Sequence, residues 1–373
     1  MAKRYLTAAK AIVGGTLPWN IFNEEGVLLL KAGEQITSEL QAHRLATQGL
    51  YFDTSTADLG QAERELPSVV RTLNLANKLL LQALPTLQEN GDAEGRVNSI
   101  SQLVFEAVDL NADAAVASIL LNDDEGSYVT RHAIDTAIVA VLIGRAMQQP
   151  AEDQLVMVSA ALTQNVGMLK YQDLLNNKRG RLSEQELNLV RQHPVQGVNI
   201  LKAAGVTNEQ WLEYVMYHHE CEDGSGYPNG KKADELPLAA KLIAFADRYC
   251  ARLVEKKYAP QRLPSLALRE VLLNHGEQPP TLMAAHFIKI VGLHPPGTTV
   301  RLKNGEIGVV IKKGASPNGA QVHVTISSSG MPMHQTLVRD SENPEYAIKE
   351  EVRKEDAGGH LAMSRFWGPV AAL

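Results

Sequence analysis

From about Leu66 to about residue 293 the apolar residues of this chain recur at the spacing of an α-helix, and that pattern rules out most architectures. Ile100, Leu103, Val104, Ala107 and Val108 follow i, i+3, i+4, i+7, i+8, which puts them on one helical face. Similar runs repeat between Gly, Asn, Asp or Pro punctuation. Ser183 and Glu186 form a capping-box pair that starts a helix carrying Leu187 and Val190, and Pro194 is expected to stop it. The expectation is a helical domain of roughly ten helices over residues 66–296.

The flanks differ in period. Residues 1–55 read as a small α+β unit. Trp19 to Phe22 and Val27 to Leu30 flank the turn Asn23-Glu24-Glu25-Gly26 as a hairpin. A short helix follows, with Ser38 and Gln41 as its capping pair, Leu40 and Leu45 on its apolar face and Gly49 as C′ glycine. Residues 56–65 are polar and read as a linker. After Pro295-Pro296-Gly297 the period becomes two: Val300 to Lys303 and Ile307 to Ile311 flank Asn304-Gly305, a strong hairpin signal, and Val322, Val324 and Ile326 alternate as a third strand. Residues 297–373 are therefore expected to be a β-rich appendage and tail. The fold class is mainly α with small sheets at both ends.

Composition narrows the function. Lys+Arg number 36 against 42 Asp+Glu, a net charge of −6, and the basic residues are scattered, which argues against nucleic acid or a polybasic membrane anchor. Cys221 and Cys250 are too few for a disulfide framework, so a reducing cytosol fits. The longest apolar run, Ala137 to Gly144, is far short of a bilayer span, and Lys10 interrupts any signal-like start. A cytoplasmic location is expected.

The stretch His218-His219-Glu220-Cys221-Glu222-Asp223-Gly224-Ser225-Gly226-Tyr227-Pro228 joins adjacent imidazoles to a glycine-rich reversal, a combination that packing alone explains poorly. Metal-assisted phosphoester hydrolysis needs imidazoles and carboxylates that converge from several helices. His132 opens an apolar helix, His193 precedes Pro194, and Asp247 lies in the apolar run Leu242 to Tyr249, where a carboxylate wants a partner. Taken singly, His132 and His193 are more often capping groups than ligands, and Asp247 has Arg248 beside it as an ordinary partner. His275, His286, His294, His323, His334 and His360 lack such company and are read as structural or surface groups.

Together, His218-His219-Glu220, Asp223-Gly224-Ser225-Gly226-Tyr227-Pro228, His193-Pro194 with Gly197, and Ala246-Asp247-Arg248-Tyr249 resemble the HD-GYP family, the cyclic di-GMP phosphodiesterase branch of the HD superfamily. The resemblance runs from about residue 115 to 310. It implies an HD-type helical fold holding two or three metal ions, usually iron or manganese, and opening cyclic di-GMP. It implies His132, His193, His218, His219 and Asp247 as metal ligands. It also implies that residues 223–228 are a ligand or interaction loop, with a diguanylate cyclase as one kind of partner.

One segment departs from the family. Where the resemblance implies His-Asp-Ile-Gly-Lys on a helix, this chain has Gln164-Asn165-Val166-Gly167-Met168. Asn165 lacks the charge of the metal-bridging Asp, Gln164 is a poor ligand, and Met168 replaces a phosphate-contacting lysine. Lys170 falls roughly 200° around that helix from the lysine position. Tyr128 stands where some members place a further carboxylate. No intact catalytic set is expected, and at most one divalent ion. Three outcomes follow: a degenerate binding module, an active phosphodiesterase with an atypical site, or a protein scaffold.

Overall fold

The computed structural model describes residues 2–6, 10–53, 66–89, 91–122, 127–178, 180–254, 261–273, 281–358 and 361–373. The expected linker, His275 and His360 lie outside the described residues. The chain divides into two compact units, Met1–Ser68 and Val69–Leu373.

The first unit contains β1 (Ala2–Tyr5), β2 (Ile21–Phe22), β3 (Leu28–Leu30), α1 (Glu39–Gln48) and β4 (Leu50–Asp53). Its antiparallel sheet has the order β1-β4-β2-β3, so the expected β2–β3 hairpin is joined by two strands from the ends of the unit. The two added strands lack an alternating pattern, which is why sequence reading passed over them. Leu6, Ile21, Ile36, Leu45 and Tyr51 form its core. Ser38 caps α1 by accepting from the Gln41 N–H. Gly49 keeps an ordinary φ of −76°, and a Cβ there would lie 2.3 Å from the Leu45 carbonyl. Close approach, rather than left-handed backbone, selects that glycine.

The second unit opens with α2 (Val69–Ala83), α3 (Ala93–Leu110), α4 (Ala112–Leu121), α5 (Tyr128–Ala146), α6 (Ala151–Thr163) and α7 (Gln172–Asn176). It continues through α8 (Glu184–Ala203), α9 (Glu209–Tyr217), α10 (Leu238–Leu253), α11 (Pro264–Leu273) and α12 (Thr281–Val291). The apolar run Ala137 to Gly144 is buried on every side because α5 packs against α2, α3, α6, α10 and α12. Among the described residues no helix is long and apolar enough to cross a membrane.

Two helix expectations need correction. Pro194 does not end α8, which runs on to Ala203. Proline removes the N–H that would bond the carbonyl four residues back, here Val190, but that carbonyl accepts from His193 Nδ1 at 2.6 Å. The imidazole replaces the missing amide and the helix continues. Conversely, residues 164–168 are not α-helical: α6 stops at Thr163, and a turn leads into a 3₁₀ segment, Val166–Met168. Lys170 lies exposed in the following turn, so its helical angle to the lysine position has no meaning.

The C-terminal sheet comprises β5 (Thr299–Leu302), β6 (Ile307–Lys313), β7 (Ala320–Ile326), β8 (Val338–Asp340) and β9 (Ile348–Glu351), in the order β8-β7-β6-β5-β9. Gly305, at φ +91°, turns the β5–β6 hairpin as its Asn-Gly pair predicts. The tail packs on this unit through α13 (Met363–Trp367), with Trp367 Nε1 donating to the Ile311 carbonyl at 3.1 Å.

The 3₁₀ turn sits directly on α8: a Cβ on Gly167 would lie 2.1 Å from the His193 carbonyl and 2.6 Å from the Gly197 nitrogen. Overpacking of this kind costs about 1–3 kcal/mol, and more against backbone. Gly167→Ala is expected to lower the unfolding free energy by at least about 2 kcal/mol in urea titration. An unchanged midpoint contradicts this packing.

Candidate metal centre

Three histidines converge at the end of α9 and the middle of α8. Their donor nitrogens, one each from His193, His218 and His219, lie within 4.8 Å of one another. His193 and His218 are buried and His219 is partly open. His218 Nδ1 bonds the Val215 carbonyl at 2.7 Å, as His193 Nδ1 bonds that of Val190. A carbonyl only accepts, so both Nδ1 atoms carry the proton and both Nε2 atoms present a lone pair.

Those two Nε2 atoms face each other at 3.1 Å. Two lone pairs so close repel unless a proton or a cation lies between them. Burial disfavours the proton, lowering the His193 imidazole from 6.5 to about 3, with the neighbouring His218 adding to the shift. Burial likewise lowers His218 and, more strongly, His219. Nitrogens bound at ~2.1 Å to one ion at angles of about 90–110° lie ~3.0–3.4 Å apart. The histidines therefore fit a single divalent ion.

The other candidates gather around Asp247 on α10. Its Oδ1 accepts from His132 Nε2 at 2.8 Å and from Gln164 Nε2 at 2.9 Å, and all three side chains are buried. Burial alone would raise this carboxyl. The hydrogen bond from His132 and the neighbouring imidazoles outweigh that and hold it well below the usual carboxylate range. The bond with Gln164 has only one sensible orientation, since the amide oxygen turned toward a carboxylate would repel it. Asp247 thus pairs with His132 and Gln164 rather than with Arg248.

The Gln164 side chain is wholly buried, and its amide oxygen has no partner among the described residues; neither has Nδ1 of His132. Asn165 and Met168 are buried beside it in the turn. Trp211 fixes this end of α6, donating from Nε1 to Thr163 Oγ1 at 2.8 Å. Tyr128 stacks on His132 with ring centroids 5.4 Å apart, an apolar neighbour at the carboxylate position.

Residues 223–228 form a loop over the histidines. The Tyr227 ring lies 4.8 Å from that of His219 and its N–H bonds the His219 carbonyl at 3.2 Å. Asp223 accepts from the Ser225 amide and hydroxyl, and a Cβ on Gly226 would come within 2.6 Å of the Glu220 backbone. Sequence reading missed the group that anchors the far side. The Glu220 carboxylate, 3% exposed, accepts from the amides of Asn229, Gly230 and Lys231 at 2.6, 3.1 and 3.1 Å. The available signal was an acidic residue ahead of the Asn229-Gly230 turn, whose amides require an acceptor. His294 and His323 are structural groups: the first pairs with Glu351 at 2.7 Å, and the second is buried against Phe366.

Residues 115–278 match the family model described as HD domain. Cyclic di-GMP phosphodiesterase PA4108 of Pseudomonas aeruginosa is 31% identical over 228 residues, which cover 60% of this chain and 54% of that protein. Cyclic di-GMP phosphodiesterase PdeB of Borreliella burgdorferi is 22% identical over 62% of this chain and 61% of its own length. The chain thus spans less than two thirds of either relative. Among solved structures, Bd1817, an HDG"Y"P protein from Bdellovibrio bacteriovorus, aligns over 77% of this chain and 98% of its own with 15% identity and a TM-score of 0.48.

The depressed His193 value gives a signed pH effect. Its folded value of about 3 lies below the ordinary 6.5, so the unfolded chain binds the extra proton and stability falls as pH drops from 6.5 toward 3. In EDTA, wild type is expected to lose stability relative to His193→Asn across that window, by up to about 1.4 kcal/mol per pH unit. Parallel unfolding curves contradict a neutral buried His193.

Proposed function

We propose that the chain, whose residues 115–278 match the HD domain family model and which is similar to cyclic di-GMP phosphodiesterases, is an HD-GYP protein that acts in cyclic di-GMP signalling as a degenerate module that binds and relays rather than one that hydrolyses efficiently. The observation that carries this reading is the double donation onto Asp247 Oδ1 from His132 and Gln164. An oxygen that already accepts two N–H bonds has little lone-pair capacity left to offer a second ion. Gln164 supplies one of those donors, and the neighbouring Asn165 carries no charge with which to bridge two ions.

The three histidines retain donors for one divalent ion, iron or manganese by family resemblance, and such an ion would supply Lewis acidity toward a phosphate oxygen. Among the described residues, Asn165 offers no carboxylate to position a nucleophile, and Met168 stands where the family resemblance implies a basic side chain. Binding requires less. The loop 223–228, braced by Glu220, keeps a rigid, partly exposed surface beside the histidines for the dinucleotide or for a protein partner such as a diguanylate cyclase. A one-metal phosphodiesterase is the competing reading, favoured by the 3.1 Å approach of the two Nε2 atoms.

Calorimetry and a turnover assay on the manganese-loaded or iron-loaded protein separate the two. The expected result is cyclic di-GMP binding with turnover at least about 10²-fold below the 1–10³ s⁻¹ usual for enzymes. Gln164→His, Asn165→Asp and Met168→Lys together are expected to raise turnover. Wild-type turnover near ~1 s⁻¹, abolished by His219→Ala, contradicts the proposal.

A further inference from the structure

Arg248 follows Asp247 on α10 and has had no part in the account so far. Its half-buried side chain reaches across to the segment just ahead of the loop, where Nη1 lies 4.0 Å from the Cys221 sulfur. That is a long contact to a weak acceptor. Nε is buried without a partner, and the guanidinium makes no ion pair with a described residue. Elsewhere in this unit Arg145, Arg252, Arg262, Arg301 and Arg339 each pair with a carboxylate. A partly desolvated cation without a counter-ion is costly to keep in a folded chain.

Its position makes the missing counter-ion informative. Cys221 stands two residues beyond His219, so the guanidinium lies at the edge of the three-histidine site. Its charge adds to the lowering of both His218 and His219. The same repulsion opposes a divalent ion on those imidazoles. The nearby carboxylates do not relieve it: Glu220 is spent on three loop amides, Glu222 pairs with Lys241 at 2.9 Å, and Asp247 alone does not balance a guanidinium together with a divalent ion. Two unbalanced positive centres side by side call for an anion from outside the chain. The site can admit one, since His219 and Tyr227 are both partly exposed.

We propose that Arg248 holds a non-bridging phosphate oxygen of the ligand at the histidine site. The identity of that ligand rests on the cyclic di-GMP reading above; the demand for an anion does not. The terminal guanidinium nitrogens are the donors, because Nε is closed off. A guanidinium stays charged at any working pH and only donates, so the residue binds and orients the phosphate and takes no proton from it.

Titration calorimetry on manganese-loaded, desalted protein tests the proposal, with cyclic di-GMP and inorganic phosphate as probes. Affinity for each is expected to fall about tenfold or more in Arg248→Met, and Arg248→Lys, which keeps the charge and loses the planar fork, is expected to lie between that variant and wild type. Two readouts separate this role from a structural one. The Tm of Arg248→Met is expected to be no lower than that of wild type, because a buried donor without a partner is removed, and its manganese content is expected to be no smaller, because a repelling charge is removed. Arg248→Gln takes its place should the methionine variant fail to fold. Phosphate binding that depends on Arg248 while cyclic di-GMP does not bind at all would sink the cyclic di-GMP reading and leave the role of Arg248 standing. Affinity for both probes unchanged in the variants, no binding of either probe to wild type at millimolar concentration, or weaker binding that merely follows a loss of manganese overturns the proposal.

Discussion

The 3.1 Å approach of His193 Nε2 to His218 Nε2 is the constraint on which the site turns. Each imidazole is oriented by the same device, an Nδ1–H donated to a carbonyl three residues earlier on its own helix. At His193 that bond also repairs the gap left by Pro194, so the residue that aims the ligand lets α8 pass unbroken through the site. Gly167 then brings the 3₁₀ turn against α8 at a distance that admits no side chain. Helix continuity, ligand orientation and the placement of residues 164–168 therefore share one small set of contacts.

The facing half is arranged by the opposite logic. Asp247 is buried in the apolar core of the helical unit, where an isolated carboxylate is costly. Its charge is met by hydrogen-bond donors on α5 and at the end of α6. Gln164 thus helps to satisfy a carboxylate that is buried away from water. Its own amide oxygen is buried with no hydrogen-bond partner among the described residues. On the proposed reading, these hydrogen bonds compete with any ion for Asp247 Oδ1.

Much of this was legible in the residues. The helical period of 66–296, the Asn304-Gly305 hairpin and the Ser183 cap each follow from local rules, and the structure keeps all three. The separation of His193, His218 and His219 from His132 and Asp247 was legible only as a suspicion, because it depends on which donors reach Asp247 across the core. The end of α8 was misread because a proline's effect depends on whether another donor takes the freed carbonyl, and here a side chain does. Glu220 escaped notice because its three partners are backbone amides, which a sequence does not display. Strands β1 and β4 were passed over since pairing between chain segments about fifty residues apart leaves no local signal.

Counting and placing metal decides most directly between a self-satisfied Asp247 and a ligating one. The purified protein, loaded with manganese or iron and desalted, can be assayed for metal per chain, and anomalous scattering from crystals locates each ion. One ion per chain, held by His193, His218 and His219, with the His132–Asp247–Gln164 hydrogen bonds intact, is the predicted result. Two ions per chain, or an ion between His132 and Asp247 with Gln164 displaced, would contradict the account.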